Sequence, residues 1–232
     1  MTKLIPRAGT EITGLQLSEP TPAQEDELAL LVAEQGVVVF RDQDQRHWSR
    51  CPKGSRSTFR SPSHPTCWRV HQRLYRISLD LSGQGQLVSP WPQRCEADYD
   101  GYHSGVSYEY QPLGITLLTL LQVPETGGDT AWTSQAAAYD RLSQPLKVFL
   151  KGLKAEHSGF PQADNARRDG RFVRREPVKS YHPIVRVHPV TGQKVLSVNP
   201  GLTKSIVGLK TEESDAILKL LFTVSNLALH MS

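Results

Sequence analysis

The chain changes character twice along its length. Residues 1–42 alternate and recur in ordinary ways. "TEITGLQLSE" alternates apolar and polar positions as a strand does. "TPAQEDELALLVAEQG" follows with a helical pattern: Thr21 stands at the N-cap position, Pro22 at the first helical position, acids in the first turn and Gly36 at the stop. "GVVVFRDQD" is a short continuous apolar run and predicts a buried strand.

Residues 43–100 lose that order. "QRHWSRCPKGSRSTFRSPSHPTCWRVHQRLYR" is rich in Arg, Ser, Pro and Trp and keeps neither a two-residue nor a 3.6-residue period. It reads either as a disordered basic linker or as a stretch translated from a disrupted reading frame. From residue 101 the patterning returns. "GITLLTLLQVP" predicts a strand pair or one bent strand, and "ETGGDT" a turn. "SQAAAYDRLSQPLKVFLKGLKAEHS" predicts two short helices interrupted before Pro145, and "HPIVRVHPVTGQKVLSVNP" a hairpin. "LKTEESDAILKLLFTV" predicts an amphipathic helix with Thr211 as N-cap.

Composition narrows the class. The 232 residues suffice for one substantial domain. Sixteen prolines and 17 glycines point to many turns and short strands rather than a helical bundle. The net charge of +4 has no long Lys/Arg run to direct it, so a solvated surface is expected rather than a nucleic-acid face. Three cysteines, Cys51, Cys67 and Cys95, are an odd number without CxxC spacing, which argues against a disulfide framework or a structural zinc site. No apolar leader or membrane-length run is present, and a soluble cytoplasmic protein is the expectation.

The chemistry centres on "GYHSGVSYEYQP", residues 101–112. Sites with two histidines and one carboxylate hold Fe(II) on one face and often begin H-x-D/E near a strand end. Here His103 is followed by Gly105 where the carboxylate belongs. Alone, such a histidine reads as structural. His157, His182 and His188 read as ordinary loop or strand histidines, the last two at edges beside proline.

The blocks "HSGVSYE" and "ETGGDT", in this order, together with "HPIVRVHPVTGQKVLSVNPGLTKSIVGLK", resemble the taurine dioxygenase (TauD/TfdA) family, and the fungal sulfonate dioxygenase-like branch most. The resemblance is close over 101–222, loose over 1–42 and faint over 43–100. It implies a double-stranded β-helix, a jelly roll with flanking helices, mainly β and incomplete at the C-terminus. It also implies Fe(II), with 2-oxoglutarate and O2 as co-substrates, for hydroxylation of a small organic sulfonate or carboxylate. By this resemblance His103 matches the first iron histidine, Gly105 the aspartate ligand, Thr130 the hydroxyl that contacts 2-oxoglutarate, and His64 a histidine that binds the substrate's anionic group. The family's distal histidine and its 2-oxoglutarate arginine find no match, and His230 is not in the distal motif.

An impaired dioxygenase is therefore the expectation. Two alternatives stand beside it: an inactive jelly-roll fragment that binds a partner, with open sheet edges that favour self-association, and a halogenase-like enzyme with chloride in the place left by Gly105.

Overall fold

The computed structural model describes residues 2–3, 9–18, 20–44, 102–118, 120, 130–173 and 176–228. The N-terminal part forms a three-stranded sheet. β1 (Thr2–Lys3) pairs antiparallel with β2 (Thr10–Ile12), and β2 pairs parallel with β3 (Val38–Phe40). A parallel neighbour needs a crossover, and α1 (Pro22–Gln35) supplies it.

The boundaries of α1 follow from its sequence. The Thr21 Oγ1 accepts from the Gln24 N–H, and the Gln24 side chain accepts from the Thr21 N–H at 2.8 Å, so two end groups satisfy each other. Gly36 ends the helix at φ 72°, a conformation costly for any residue with a Cβ. The β3 strand is half-buried throughout, not fully buried as its continuous apolar run suggested.

The C-terminal part holds the core. α2 (Gln135–Asp140) and α3 (Gln144–Leu150) are the two short helices expected around Pro145, which lies in the first turn of α3. "KAEHS" departs from the helical reading. It forms β4 (Lys154–Ser158), the central strand of an antiparallel sheet between β5 (Lys179–Pro183) and β8 (Thr203–Ile206). α4 (Phe160–Arg168) follows β4 directly. The expected hairpin is present as β6 (Val185–Val187) paired with β7 (Lys194–Leu196). Residues 114–118, expected in a strand, lie in irregular structure.

α5 (Thr211–Leu227) packs on this sheet. It starts one residue earlier than its sequence suggested, with Lys210 at the N-cap position and the Glu213 carboxylate accepting from the Lys210 N–H. Its buried positions, Ser214, Leu218, Leu221 and Ser225, recur at helical spacing. The two serines are paired: Ser214 Oγ accepts the Ile206 N–H at 2.8 Å, and Ser225 Oγ donates to the Leu221 carbonyl at 2.9 Å. Leu221 is fully buried beside Leu150, Ile184 and Ile206 in the core.

Truncation at that position leaves a cavity. Leu221→Ala is expected to lower unfolding free energy by about 2–5 kcal/mol, measured as a shift in the urea midpoint at unchanged slope.

Candidate functional site: the His103 loop and its buried anchor

Residues 102–112 form a loop with a turn at 105–108. Its backbone is strained at one point. Val106 has φ 49°, a left-handed conformation rare for a β-branched side chain. Gly105 has no such requirement. Among the described residues an ideal Cβ there would meet only Thr116 Oγ1, at 3.8 Å, an ordinary contact. The loop would therefore accept a larger residue at position 105.

Side chains of the C-terminal part hold this turn and the residue after it. Ser107 is buried, with its Oγ 3.0 Å from His157 Nδ1 on β4 and 3.2 Å from Asn199 Nδ2, which donates to it. The Glu109 carbonyl accepts from His182 Nε2 on β5 at 2.8 Å and from the Ser180 hydroxyl at 3.3 Å. Tyr108 lies against Gly159, where an added Cβ would come within 2.9 Å of its ring, and its hydroxyl donates to Gln162 on α4 at 3.0 Å. Gly159 is thus required for close approach of the loop.

His157 is the unexpected member. It is fully buried on the central strand, next to a register irregularity in the β4–β8 pairing. Such irregularities re-aim side chains. The His182 ring meets it edge-on, with centroids 5.5 Å apart. Burial away from water lowers its pKa to about 4, helped by the nearby charges of His182 and Arg186 and opposed only by the Ser197 main chain. Its Nε2 is buried and makes no hydrogen bond of ordinary geometry. Burial also lowers the pKa of His182, followed in effect by Arg186, and burial alone lowers that of His188. His188 Nδ1 accepts from the Val190 and Thr191 N–H groups and so fixes the turn of the β6–β7 hairpin.

The residues singled out from sequence are placed unevenly. His103 is exposed on the loop and shares it with Gly105. Thr130 is exposed in the segment leading to α2. His64, the three cysteines, Glu125, Asp129, His230 and nearly all of the 43–100 stretch lie outside the described residues. Among the described residues, no group of three or more His, Cys, Asp or Glu side chains could hold a metal ion. The donors present there do not amount to a metal site.

Sequence reasoning read His157 as an ordinary loop or strand histidine and did not single out Asn199. One signal was available. Ala155 and His157 share one face of a strand, and that face is buried.

Comparison with known proteins gives the family of the chain. The family model described as "Taurine catabolism dioxygenase TauD, TfdA family" matches residues 2–229, a span that includes 43–100. An alpha-ketoglutarate-dependent sulfonate dioxygenase of Saccharomyces cerevisiae is 36% identical over 96% of this chain and 54% of its own length. The alpha-ketoglutarate-dependent dioxygenase cnsP of Penicillium expansum is 39% identical over 95% of this chain and 60% of its own. The crystal structure of a taurine dioxygenase from Burkholderia xenovorans superimposes with a TM-score of 0.63 at 27% identity, covering 97% of this chain and 72% of that one. The chain thus spans between 54% and 60% of the length of these two curated relatives. Enzymes of the family use Fe(II), 2-oxoglutarate and O2. Among the described residues no helix is long and apolar enough to cross a membrane.

The low pKa of His157 makes stability depend on pH with a definite sign. The folded value lies below the unfolded value of 6.5, so the contribution is present above pH 6.5 and is lost as pH falls towards 4. The loss should reach about 3 kcal/mol by pH 4, read from urea unfolding at pH 7 and pH 4. His157→Asn should flatten that part of the profile. With its mixed helices and strands, its match along nearly the whole length and its likeness to solved taurine dioxygenases, the chain belongs to the TauD/TfdA dioxygenase family.

Proposed function

We propose that the chain is part of a 2-oxoglutarate-dependent dioxygenase of jelly-roll fold that hydroxylates a small organic sulfonate or carboxylate. The observation that carries this reading is the His103 loop itself. Its "HSGVSYE" resembles the family's H-S-x-V-S-Y-E block, with glycine at the variable third place, and its turn is tied to the C-terminal part by Ser107, Tyr108 and Glu109. The names of the yeast and Penicillium relatives support the reaction class, and the yeast name supports the sulfonate substrate.

In this reading His103 offers one imidazole to Fe(II), which supplies the oxidising chemistry when bound with 2-oxoglutarate and O2. Thr130 offers a hydroxyl to 2-oxoglutarate, and His64 a cationic or hydrogen-bonding contact to the substrate's anionic group. Gly105 offers no donor, so metal retention by these residues is weak. Partners bound around a ligand orient it but do not replace a missing one. The chain is accordingly an impaired member of a hydroxylating family.

The test exploits the room at position 105. The Cβ of Gly105→Asp is accommodated, because the nearest atom to it among the described residues is 3.8 Å away. Calorimetric titration with Co(II), as an air-stable substitute for Fe(II), is expected to show binding about tenfold tighter in this variant than in the parent chain. Equal affinity would contradict the assignment of position 105 to the carboxylate place. Faster release of succinate from 2-oxoglutarate in the variant would extend the result from binding to turnover.

A further inference from the structure

The hydrogen bonds around Ser107 determine which nitrogen of His157 carries the proton. The Leu202 N–H donates to Asn199 Oδ1 at 3.0 Å, which fixes the orientation of that amide and points its Nδ2 at Ser107. The Asn199 backbone is held in turn by its own N–H donating to Thr203 Oγ1 at 2.9 Å. Ser107 Oγ accepts from Asn199 Nδ2 and has a single proton of its own to give. Its remaining lone pair could take a second donor, but the buried Ser107 proton would then have no acceptor. Among the described residues His157 Nδ1, 3.0 Å away, is the acceptor within its reach, and Ser107 donates to it. The ring is therefore neutral, with its proton on Nε2.

That arrangement has a cost the core need not bear. The Nε2–H is buried without a hydrogen bond of ordinary geometry; of the groups that act on the ring, His182 and Arg186 are basic and the Ser197 main chain alone favours a proton on it. A leucine would fill the space without burying an unpaired donor. What a leucine cannot do is accept from Ser107. The turn that Ser107 belongs to contains the left-handed Val106, which would relax if it were not held.

We propose that His157 is a positioning residue: as a fixed Nε2–H imidazole it holds Ser107, and through Ser107 it sets the geometry of the turn that presents His103 and position 105. The proposal rests on the dioxygenase reading only for the purpose of the turn, not for the existence of the hold.

Hydrogen exchange on the full chain tests it. The Glu109 amide, which donates to the Val106 carbonyl across the turn at 3.0 Å, reports the turn directly. His157→Leu and Ser107→Ala are each expected to speed exchange at Glu109 about tenfold or more, with α5 amides unchanged. His157→Asn places an oxygen where Nδ1 stood and is expected to restore most of the protection. In the Gly105→Asp background, Co(II) affinity should fall with His157→Leu and recover with His157→Asn. Unchanged Glu109 exchange in a folded His157→Leu protein, or exchange in His157→Asn as fast as in His157→Leu, overturns the proposal. If His157→Leu does not fold, unchanged exchange in Ser107→Ala overturns it alone. Absence of Co(II) binding in every Gly105→Asp protein counts against the dioxygenase reading of the loop, while the exchange result still decides the role of His157.

Discussion

The Ser107 hydroxyl is the joint on which the His103 loop depends. It sits in a buried site between an imidazole on the central strand and an amide from the β7–β8 connection. In such surroundings a satisfied polar group rigidifies what it touches, and an unsatisfied one is expensive. Every other anchor of the loop lies within two residues of it. The Glu109 carbonyl reaches His182 and Ser180, and the Tyr108 ring occupies the space that only a glycine at position 159 leaves open. The strained backbone at Val106 stands directly before these three anchored residues.

The core beneath the joint is built on the same rule. β4 runs through the middle of its sheet and carries His157 inward. α5 covers the sheet with a stripe of two leucines flanked by two serines, and each buried serine has a backbone partner. Thr133 extends the pattern by donating to the Ser225 carbonyl, which ties the segment before α2 to the end of α5. Apolar burial gives this part its stability. The polar pairs fix how the elements are aligned on one another.

Much of this was legible in the sequence where local chemistry decides structure. The cap at Thr21, the stop at Gly36, the break at Pro145 and the hairpin over 185–196 all follow from residues that act on their own neighbours. The readings that departed from the structure concern elements defined by distant partners. "KAEHS" continues a helical pattern and becomes a strand because β5 and β8 flank it. Residues 114–118 are apolar enough for a strand and yet lie in irregular structure. The site divides in the same way. His103 and Gly105 were singled out because their block resembles a family motif. His157 was read as an ordinary strand histidine because its partners, Ser107 and Asn199, lie 50 and 42 residues away along the chain.

The family assignment and the geometry meet at position 105. In the proposed reading position 105 is the place of a carboxylate, and a Cβ added at Gly105 meets Thr116 Oγ1 at an ordinary 3.8 Å. A loop that is no longer held would give the substitution little meaning, so the central claim is that His157 still holds it. Long-range 1H–15N correlation spectra of the labelled chain at pH 7 test this most directly. The account predicts a single His157 tautomer, with Nε2 protonated and Nδ1 bare and accepting from Ser107. A ring protonated on Nδ1, or one averaging between both tautomers, would contradict it.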